Sequence, residues 1–444
     1  MPPKSAGHRR PAAVPGLAAR ALAARAIRRA MGERRSLDEA LHLARDRNAP
    51  LEPADFGLAR AIAVVTFRRM GTIRRALAVR LAEEGLPEAG ILREAIWTGA
   101  AQILFMDVPD HAAVDLAVEL VKSDRLALHY ARLANALLRG IARDRAAILD
   151  GADPFADDLP AWLRERWVAA YGEIAVRGIA AMFVRPPHVD LTPFRDPAGL
   201  AAATGGTLLP TGSIRLADQT AIPSLPGYGD GAFQVQDAAS ALPARLICAR
   251  AGERVLDLCA APGGKTAQLA ATGAKVTSVE RSAQRAERLT ANLARLGLST
   301  ELVIADGAAY EAPPFDGVLL DAPCSATGTI RRHPEIAWTK TFEDILGLAR
   351  SQRRLLDHAA SLVRPCGRLV YATCSLEPEE GEEQIRSWLA AQSAFVIEPV
   401  TANELGIDSG AVTPEGFLRV LPFHLNAWGG VDGFFAARLK RVAG

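Results

Sequence analysis

The sequence predicts a multidomain protein in which an all-α N-terminal domain and a small linker subdomain precede an α/β domain with a doubly wound sheet. Apolar residues recur at helical intervals from about Leu17 to Arg143. From Ala232 onward, short apolar runs that suit buried strands alternate with helical stretches. Between them, the stretch from Gly151 to about Gly231 is punctuated by glycine and proline, which is typical of a connecting subdomain with turns. At 444 residues the chain is long enough for two or three domains of roughly 150 residues each.

These patterns divide the chain into four segments: a disordered basic tail (1–15), a helical domain (16–148), a linker subdomain (149–231) and the α/β domain (232–444). In the helical domain, Ser36 followed by Glu39 is the pattern of a capping box. In the linker subdomain we expect one helix around Trp162–Met182. The strands expected in the α/β domain lie at 254–259, 275–280, 301–305, 316–321 and 367–373, with a final pair near 416–421 and 433–440.

Composition limits the classes of function. No apolar run approaches the roughly 18 residues needed to cross a bilayer. The five cysteines form no C-x-x-C pair and there are only eight histidines, so we expect no metal site. Scattered thiols in odd number favour a reducing compartment, and we predict the cytoplasm. The first 32 residues carry seven Lys/Arg and no acid, which predicts a basic arm for nucleic acid or an anionic surface, although a transit peptide has the same pattern.

Two cysteines directly follow predicted strands. Cys324 lies in the run DAPCSATG (321–328), and Cys374 lies in YATCS (371–375). Because ligands gather outside the carboxyl ends of parallel strands, we expect the two thiols to face one cleft. Two thiols beside a nucleotide-type loop predict covalent chemistry on a substrate carried to a cofactor. The alternative is that both are small buried residues at strand ends, since free cysteine often behaves as a hydrophobe.

A third strand leads into a glycine turn that we expect to bind the cofactor. The residues of this turn are Cys259, Ala260, Ala261, Pro262, Gly263, Gly264 and Lys265. It fails the P-loop pattern, which needs glycine where Cys259 stands, and it fails the dinucleotide fingerprint, because Gly263 and Gly264 are adjacent. Bare backbone before a helix still allows a ligand to approach closely. Glu280 ends the next strand, where it can bind two ribose hydroxyls, and Asp306 follows another, near an adenine amino group; the alternative is that both are ordinary turn acids.

Four motifs together resemble the RNA cytosine-5 methyltransferases of the Sun (Fmu) type. They are CAAPGGK (259–265), DAPCSATG (321–328), RRHPE (331–335) and YATCS (371–375). Two further runs fit the same family, namely FQVQD (233–237) and DGFF (432–435). The N-terminal half, with QILFMDVP (102–109) and LANALLR (133–139), resembles the NusB-like RNA-binding domain of one subgroup. Within the family the chain is most similar to the bacterial enzymes for small-subunit (16S) ribosomal RNA.

The resemblance implies a Rossmann-like class I methyltransferase fold with an antiparallel last strand and S-adenosyl-L-methionine as cofactor. It implies a partner in RNA, 16S ribosomal RNA above all, either naked or within an assembling small-subunit particle. It also implies that Cys374 is the nucleophile that adds to carbon 6 of cytosine and that Cys324 assists release, an order that spacing alone leaves open. The family often has aspartate where this chain has Glu280.

Further roles are expected around the first cysteine motif. Asp321 is expected to be catalytic, facing N3 of the cytosine, or to bind the methionine end of the cofactor, with Lys265 orienting its carboxylate. Arg331, Arg332 and His333 follow that motif and are candidates to grip RNA beside a flipped base. The alternative for these three is a solvated basic loop.

Two other functions remain open at this point. One is a non-catalytic RNA-binding assembly factor that has kept a methyltransferase fold, against which the intact cysteine pair argues. The other is a DNA cytosine methyltransferase, which would use Cys324 as nucleophile and would carry a target-recognition insert that this chain lacks.

Overall fold

The computed structural model describes residues 14–45, 51–81, 85–217 and 221–443. The chain forms two compact units. The helical unit comprises Met1–Ala161 with His333–Thr339, and the α/β unit comprises Trp162–Arg332 with Lys340–Gly444. Residues 1–13 of the predicted tail lie outside the described residues, and the division into four segments stays a prediction.

The helical unit has an apolar core formed by one face of each of several helices. Its helices are α1 (Leu17–Glu33), α2 (Leu37–Ala44), α3 (Pro53–Arg68), α4 (Met70–Ala78), α5 (Leu92–Phe105), α6 (Asp110–Ser123), α7 (Ala131–Arg143) and α8 (Arg145–Asp150). The Ser36 hydroxyl accepts the Glu39 N–H at 3.3 Å, which caps the start of α2. Small residues on α1 and α5 are fully buried, so these two helices approach closely, as the helical spacing of the sequence predicts.

A short segment far along the chain completes the helical unit. It follows residue 332 and carries the short helix that ends at Thr339. The Glu335 carboxylate accepts the backbone N–H of Leu37 at 3.0 Å. The Trp338 indole donates to the backbone carbonyl of Phe67 at 2.9 Å. The core of this unit is therefore discontinuous in sequence.

The α/β unit begins with two helices and a small antiparallel sheet. These elements are α9 (Ala161–Tyr171), α10 (Glu173–Phe183), β1 (Asp190–Pro193), α11 (Pro197–Thr204), β2 (Thr207–Leu208), β3 (Ile214–Arg215) and β4 (Phe233–Val235). The strands pair in the order β2-β3-β1-β4. The single helix expected around Trp162–Met182 is two helices, because Gly172 takes φ of 78°, outside the helical region.

The larger sheet carries the site. Its strands are β5 (Arg254–Leu258), β6 (Lys275–Glu280), β7 (Glu301–Ile304), β8 (Phe315–Asp321), β9 (Val363–Thr373), β10 (Phe395–Ile397), β11 (Leu418–Val420) and β12 (Phe434–Arg441). The helices between them are α12 (Leu242–Leu246), α13 (Gly264–Ala270), α14 (Ala283–Leu296), α15 (Ile336–Thr339), α16 (Phe342–Ser361), α17 (Glu382–Ala390) and α18 (Ala402–Leu405). The strand order is β10-β12-β9-β8-β5-β6-β7, with β11 beside β12.

The sheet has the predicted doubly wound form. Strands β9, β8, β5, β6 and β7 are parallel, whereas β12 runs antiparallel to β9. The interior residues of β5 and β8 are buried on both faces, which explains why both strands are mainly apolar. The predicted fold class, with a helical domain before an α/β domain that ends in an antiparallel strand, is confirmed. Within the described ranges, no helix combines the length and the apolar character that a bilayer crossing requires.

Candidate active site

The two cysteines of the sequence motifs lie together at the carboxyl edge of the sheet. Strands β8 and β9 are neighbours, with Asp321 opposite Ala372, so the loops that leave them start side by side. The Sγ atoms of Cys324 and Cys374 are 3.5 Å apart, and both side chains are half-buried. The structure thus brings together the two thiols that sequence analysis expected to face one cleft.

Backbone contacts fix the loop that follows Cys324 against the one that carries Cys374. The Gly328 N–H donates to the Cys374 carbonyl at 3.0 Å, and the Gly433 N–H donates to the Gly328 carbonyl at 2.8 Å. A Cβ at position 328 would lie 2.1 Å from the carbonyl oxygen of Gly433, so only glycine fits here. This close approach requires the glycine of the DAPCSATG motif.

A largely buried cation pairs with the acid of the same motif. Lys265 Nζ donates to Asp321 Oδ2 at 2.7 Å and lies 5.1 Å from the centre of the Phe434 ring. Burial alone would lower the pKa of Lys265, but the charge and hydrogen bond of Asp321 outweigh it and the pKa is raised. The ammonium group therefore stays charged and holds the carboxylate in place, as the sequence predicted for this pair.

Asp257, at the end of β5, is a further acid beside this pair. Burial raises its pKa to about 7, although the Thr266 hydroxyl donates to its Oδ2 at 2.5 Å and works in the opposite direction. Its Oδ1 is buried and has no hydrogen-bond partner among the described residues. Sequence analysis did not single out Asp257, because an acid inside a predicted strand gives no signal of its surroundings.

The predicted cofactor turn runs from β5 into α13. Gly263 takes φ of 99° at the start of the helix, a backbone region that favours glycine. Burial raises the pKa of the Cys259 thiol to about 12, so this cysteine stays protonated and unreactive. The residues of the turn lie together as predicted at the carboxyl end of β5.

Two acids lie at the ends of the next strands in the sheet. Glu280, at the end of β6, accepts the N–H groups of Ala261 at 3.3 Å and Ser282 at 2.9 Å. A carboxylate has about four acceptor positions, so some remain for a ligand. Asp306, just past β7, is exposed and accepts the N–H of Ala308 at 3.0 Å. With bare backbone and acids at three strand ends, the donors and acceptors fit the ribose, adenine and ammonium groups of S-adenosyl-L-methionine.

The basic residues after the first cysteine motif have internal partners. Arg331 is 1% exposed and donates to a backbone carbonyl at 2.8 Å. Arg332 donates to the carboxylates of Asp237 and Asp432, each at 2.7 Å. These two guanidinium groups stabilise the fold, which argues against their expected role in gripping phosphates. His333 belongs to the helical unit, with its side chain 41% exposed.

One buried residue near the cysteines escaped sequence analysis. Glu380 is 0% exposed and accepts hydrogen bonds from residues next to both cysteines. It lies in the segment EPEEGEE (377–383), which contains five glutamates. Such a segment is typical of a solvent-exposed acidic stretch. Its hydrogen-bond partners distinguish it from the other glutamates, and two of them, Gln352 and Ser325, are 28 and 55 residues away in the chain.

The fold and the site define the class of an S-adenosyl-L-methionine-dependent methyltransferase. Residues 244–440 match the family model described as 16S rRNA methyltransferase RsmB/F, and residues 17–143 match that of the NusB family. Among solved structures, the crystal structure of PH0851 aligns with a TM-score of 0.72 at 24% identity, over 97% of this chain and 100% of that chain. A methyltransferase homolog from Pyrococcus horikoshii aligns with a TM-score of 0.53 at 26% identity, over 63% of this chain and 94% of that one.

Curated relatives extend the similarity over almost the whole chain. The ribosomal RNA small subunit methyltransferase B of Shewanella oneidensis is 33% identical, over 95% of this chain and 99% of the relative. That of Pseudomonas syringae pv. tomato is 35% identical, over 96% of this chain and 97% of the relative. The chain belongs to the family of ribosomal RNA small subunit methyltransferase B.

Proposed function

We propose that this protein transfers a methyl group from S-adenosyl-L-methionine to carbon 5 of a cytosine in 16S ribosomal RNA. The reaction passes through a covalent bond between Cys374 and carbon 6 of the base. The observation that carries the proposal is the 3.5 Å separation of the Cys324 and Cys374 sulfur atoms at the ends of two adjacent parallel strands. The names of the relatives support ribosomal RNA as the substrate.

The chemistry explains why a thiol is needed. Carbon 5 of cytosine is too weak a nucleophile to take a methyl group unaided. Addition of the Cys374 thiolate to carbon 6 turns the ring into an enamine, which splits one difficult step into two easier ones. Bound S-adenosyl-L-methionine supplies an electrophilic methyl group. The residues expected to hold it are the turn 259–265, Glu280, Asp306 and, in one of its two expected roles, Asp321.

Cys324 is suited to the second half of the reaction. Its hydrogen bond with Cys374, followed by burial, raises the pKa of Cys324 well above the ordinary value. Cys324 therefore keeps its proton, which makes it a poor nucleophile toward the base. Once the sulfur of Cys374 is bonded to carbon 6, the largest cause of this shift is gone. The Cys324 thiolate then forms more readily, takes the hydrogen from carbon 5 and allows Cys374 to leave.

Asp321 contributes charge to the same site. Held by Lys265 at 2.7 Å, its carboxylate has one of two roles. In the first, N3 takes up the proton given up by the Cys374 thiol during addition, and the resulting N3–H donates to the carboxylate; in the second, the carboxylate binds the ammonium of the cofactor. The first role stabilises the protonated ring during addition, which is the kind of interaction that lowers an activation barrier.

The test is a pair of cysteine variants with labelled cofactor and a 16S ribosomal RNA fragment. We expect Cys374→Ala to abolish both methyl transfer and the denaturant-resistant protein–RNA adduct. We expect Cys324→Ala to transfer the methyl group but to accumulate the adduct, because the hydrogen on carbon 5 is not removed. Cys366→Ala is the matched control, since Cys366 is exposed and should leave both readouts unchanged.

Four outcomes would contradict the proposal. Adduct accumulation in Cys374→Ala instead of Cys324→Ala would reverse the two roles. Wild-type methylation of the RNA fragment by purified Cys374→Ala would refute the covalent mechanism. Unchanged cytosine methylation in cells that carry only Cys374→Ala, with no transfer by the purified wild-type protein, would favour the assembly factor. Faster transfer to duplex DNA than to unmodified ribosomal RNA would refute the RNA substrate.

A further inference from the structure

Glu380 is a buried carboxylate with neutral partners. It ends the short 3₁₀ turn Pro378–Glu380 before α17 and is 0% exposed. Among the described residues its carboxylate accepts from the Ser325 N–H at 2.9 Å, from the Ser325 hydroxyl, from the Ser375 hydroxyl at 2.5 Å and from the Gln352 amide at 3.0 Å. These four donors match the roughly four acceptor positions of a carboxylate.

These donors flank the two cysteines. Ser325 directly follows the first cysteine of the pair, and Ser375 directly follows the second. Gln352, on α16, also donates to the carbonyl of Pro323 at 3.0 Å, which is the residue before the first cysteine. One carboxylate therefore contacts the chain beside both sulfur atoms, directly and through Gln352.

The backbone of Glu380 is itself fixed by β9. The Tyr371 hydroxyl and the Thr373 hydroxyl both donate to the Glu380 carbonyl, at 2.9 and 3.1 Å. All three residues are fully buried. The turn that carries the carboxylate is thus anchored to β9, which makes the carboxylate a fixed reference point for the two loops that carry the cysteines.

We propose that Glu380 is the positioning residue that sets the spacing of Cys324 and Cys374, by binding the residue that follows each of them. It touches neither substrate nor cofactor, and it acts through Ser325 and Ser375. The catalytic meaning of this role rests on the proposed function, whereas the geometric role does not. Burial raises the pKa of the Glu380 carboxyl group, and the hydrogen bonds from Ser325 and Ser375 act in the opposite direction. When ionised, this group is a strong acceptor, because hydrogen bonds to an ionised group are about twice as strong as neutral ones.

The conservative replacement Glu380→Gln keeps the size of the side chain. It replaces one acceptor oxygen by an NH₂ group, which then faces hydrogen-bond donors. We expect kcat to fall roughly 10- to 100-fold, because misplacement of reacting groups by about 1 Å costs on that order. The KM for S-adenosyl-L-methionine should change by less than a factor of about two, because the contacts that bind the cofactor are not altered. Glu379→Gln is the matched control, since this neighbour pairs instead with Arg166.

A second readout measures the spacing without any methyl transfer. Hydrogen peroxide oxidises one thiolate to a sulfenic acid with loss of hydroxide, and the other thiol displaces water to form a disulfide. The rate of this disulfide formation, followed by quenching and mass spectrometry of the peptides that contain Cys324 and Cys374, depends on how the sulfur atoms approach each other. We expect Glu380→Gln to slow it several-fold, and Glu379→Gln to match the wild type.

The two readouts separate the two proposals. If Glu380→Gln slows disulfide formation while the wild-type protein itself does not methylate RNA, the positioning role is upheld and the proposed function is refuted. Wild-type kcat and wild-type disulfide formation would overturn the positioning role. Ser375→Ala removes one of the hydrogen bonds to the Glu380 carboxylate, together with the contacts of the same hydroxyl with Ser325, Thr327 and the Glu377 N–H. It covers the case in which Glu380→Gln fails to fold. It should slow both reactions, and wild-type rates in this variant would likewise overturn the role.

Discussion

Replacement of Arg332 tests whether this residue serves the fold or the RNA. Its Nη2 donates to Asp237 Oδ2 and its Nε donates to Asp432 Oδ2, each at 2.7 Å. The side chains of these two aspartates are only 4% and 3% exposed. Arg332→Met keeps much of the apolar stem and removes the charge, which leaves two buried carboxylates facing each other.

The expected loss follows from the burial of this cluster. Removing one partner of a buried ion pair typically costs about 3–5 kcal/mol, because the remaining charge keeps its desolvation penalty. Burial and the charge of Asp237 already raise the pKa of Asp432 to about 6. Burial alone would raise the pKa of Asp237 too, but the charge and hydrogen bond of Arg332 hold it below its ordinary value. Without Arg332, the pKa of both carboxyl groups therefore rises in the folded state. The folded state then binds more protons than the unfolded state, so the deficit of Arg332→Met grows as the pH rises from about 5 to 8.

The assay is urea denaturation of the full chain at pH 5.5 and 7.5, followed by tryptophan fluorescence. We expect the free energy of unfolding to fall by roughly 3–5 kcal/mol at the higher pH and by less at the lower one, with an unchanged denaturant slope. The control is Arg177→Met, because Arg177 and Glu173 form an exposed i, i+4 pair at 2.8 Å, worth about 0.3–0.5 kcal/mol.

The reasoning would be refuted by the reverse pattern. Suppose that Arg332→Met unfolds like the wild type but binds RNA more weakly, and that the slope of log K against log salt concentration falls by about the one unit that a single phosphate contact contributes. Arg332 then faces the nucleic acid. In that case the sequence-based expectation, rather than the ion pairs of the structure, describes the residue.

Three further changes test the surroundings of the site. Gly328→Ala should lower the free energy of unfolding by about 1–3 kcal/mol or more, measured by thermal denaturation, and should abolish turnover. The reason is that its Cβ would lie 2.1 Å from the carbonyl oxygen of Gly433. Full activity would contradict the tight packing. The raised pKa of Asp257 makes the folded state bind a proton between about pH 4 and 7, so the free energy of unfolding of the wild type falls as the pH rises through this range. Asp257→Asn should make this fall smaller. An unchanged pH profile in urea denaturation would contradict the prediction. Lys265→Met should lower kcat/KM more than about tenfold by releasing the Asp321 carboxylate, and normal single-turnover rates would contradict that role.

The sequence predicted those parts of the molecule that depend on neighbouring residues. The strands expected at 254–259, 275–280, 301–305 and 316–321 agree with β5, β6, β7 and β8 within one residue at each end. The rule that parallel strands bring their carboxyl ends to one edge then placed Cys324 near Cys374, although 50 residues separate them. Both steps use only local patterns and a general property of sheets.

Features that depend on distant partners were not predictable in this way. Arg332 is 95 residues from one of its carboxylates and 100 from the other, so the sequence shows only a basic dipeptide. Glu380 is one of several neighbouring glutamates, and its burial depends on hydroxyl and amide groups that other loops supply. The break at Gly172 was missed because helical spacing continues on both sides of it.

The discontinuous core of the helical unit limits how this protein can be divided. A fragment ending at Ala161 would contain every long helix of that unit and still lack Glu335 and Trp338. It would leave the Leu37 amide and the Phe67 carbonyl without the partners they have in the intact chain. Truncation studies that aim to isolate this unit therefore need the 333–339 peptide restored, either grafted through a linker or added in trans.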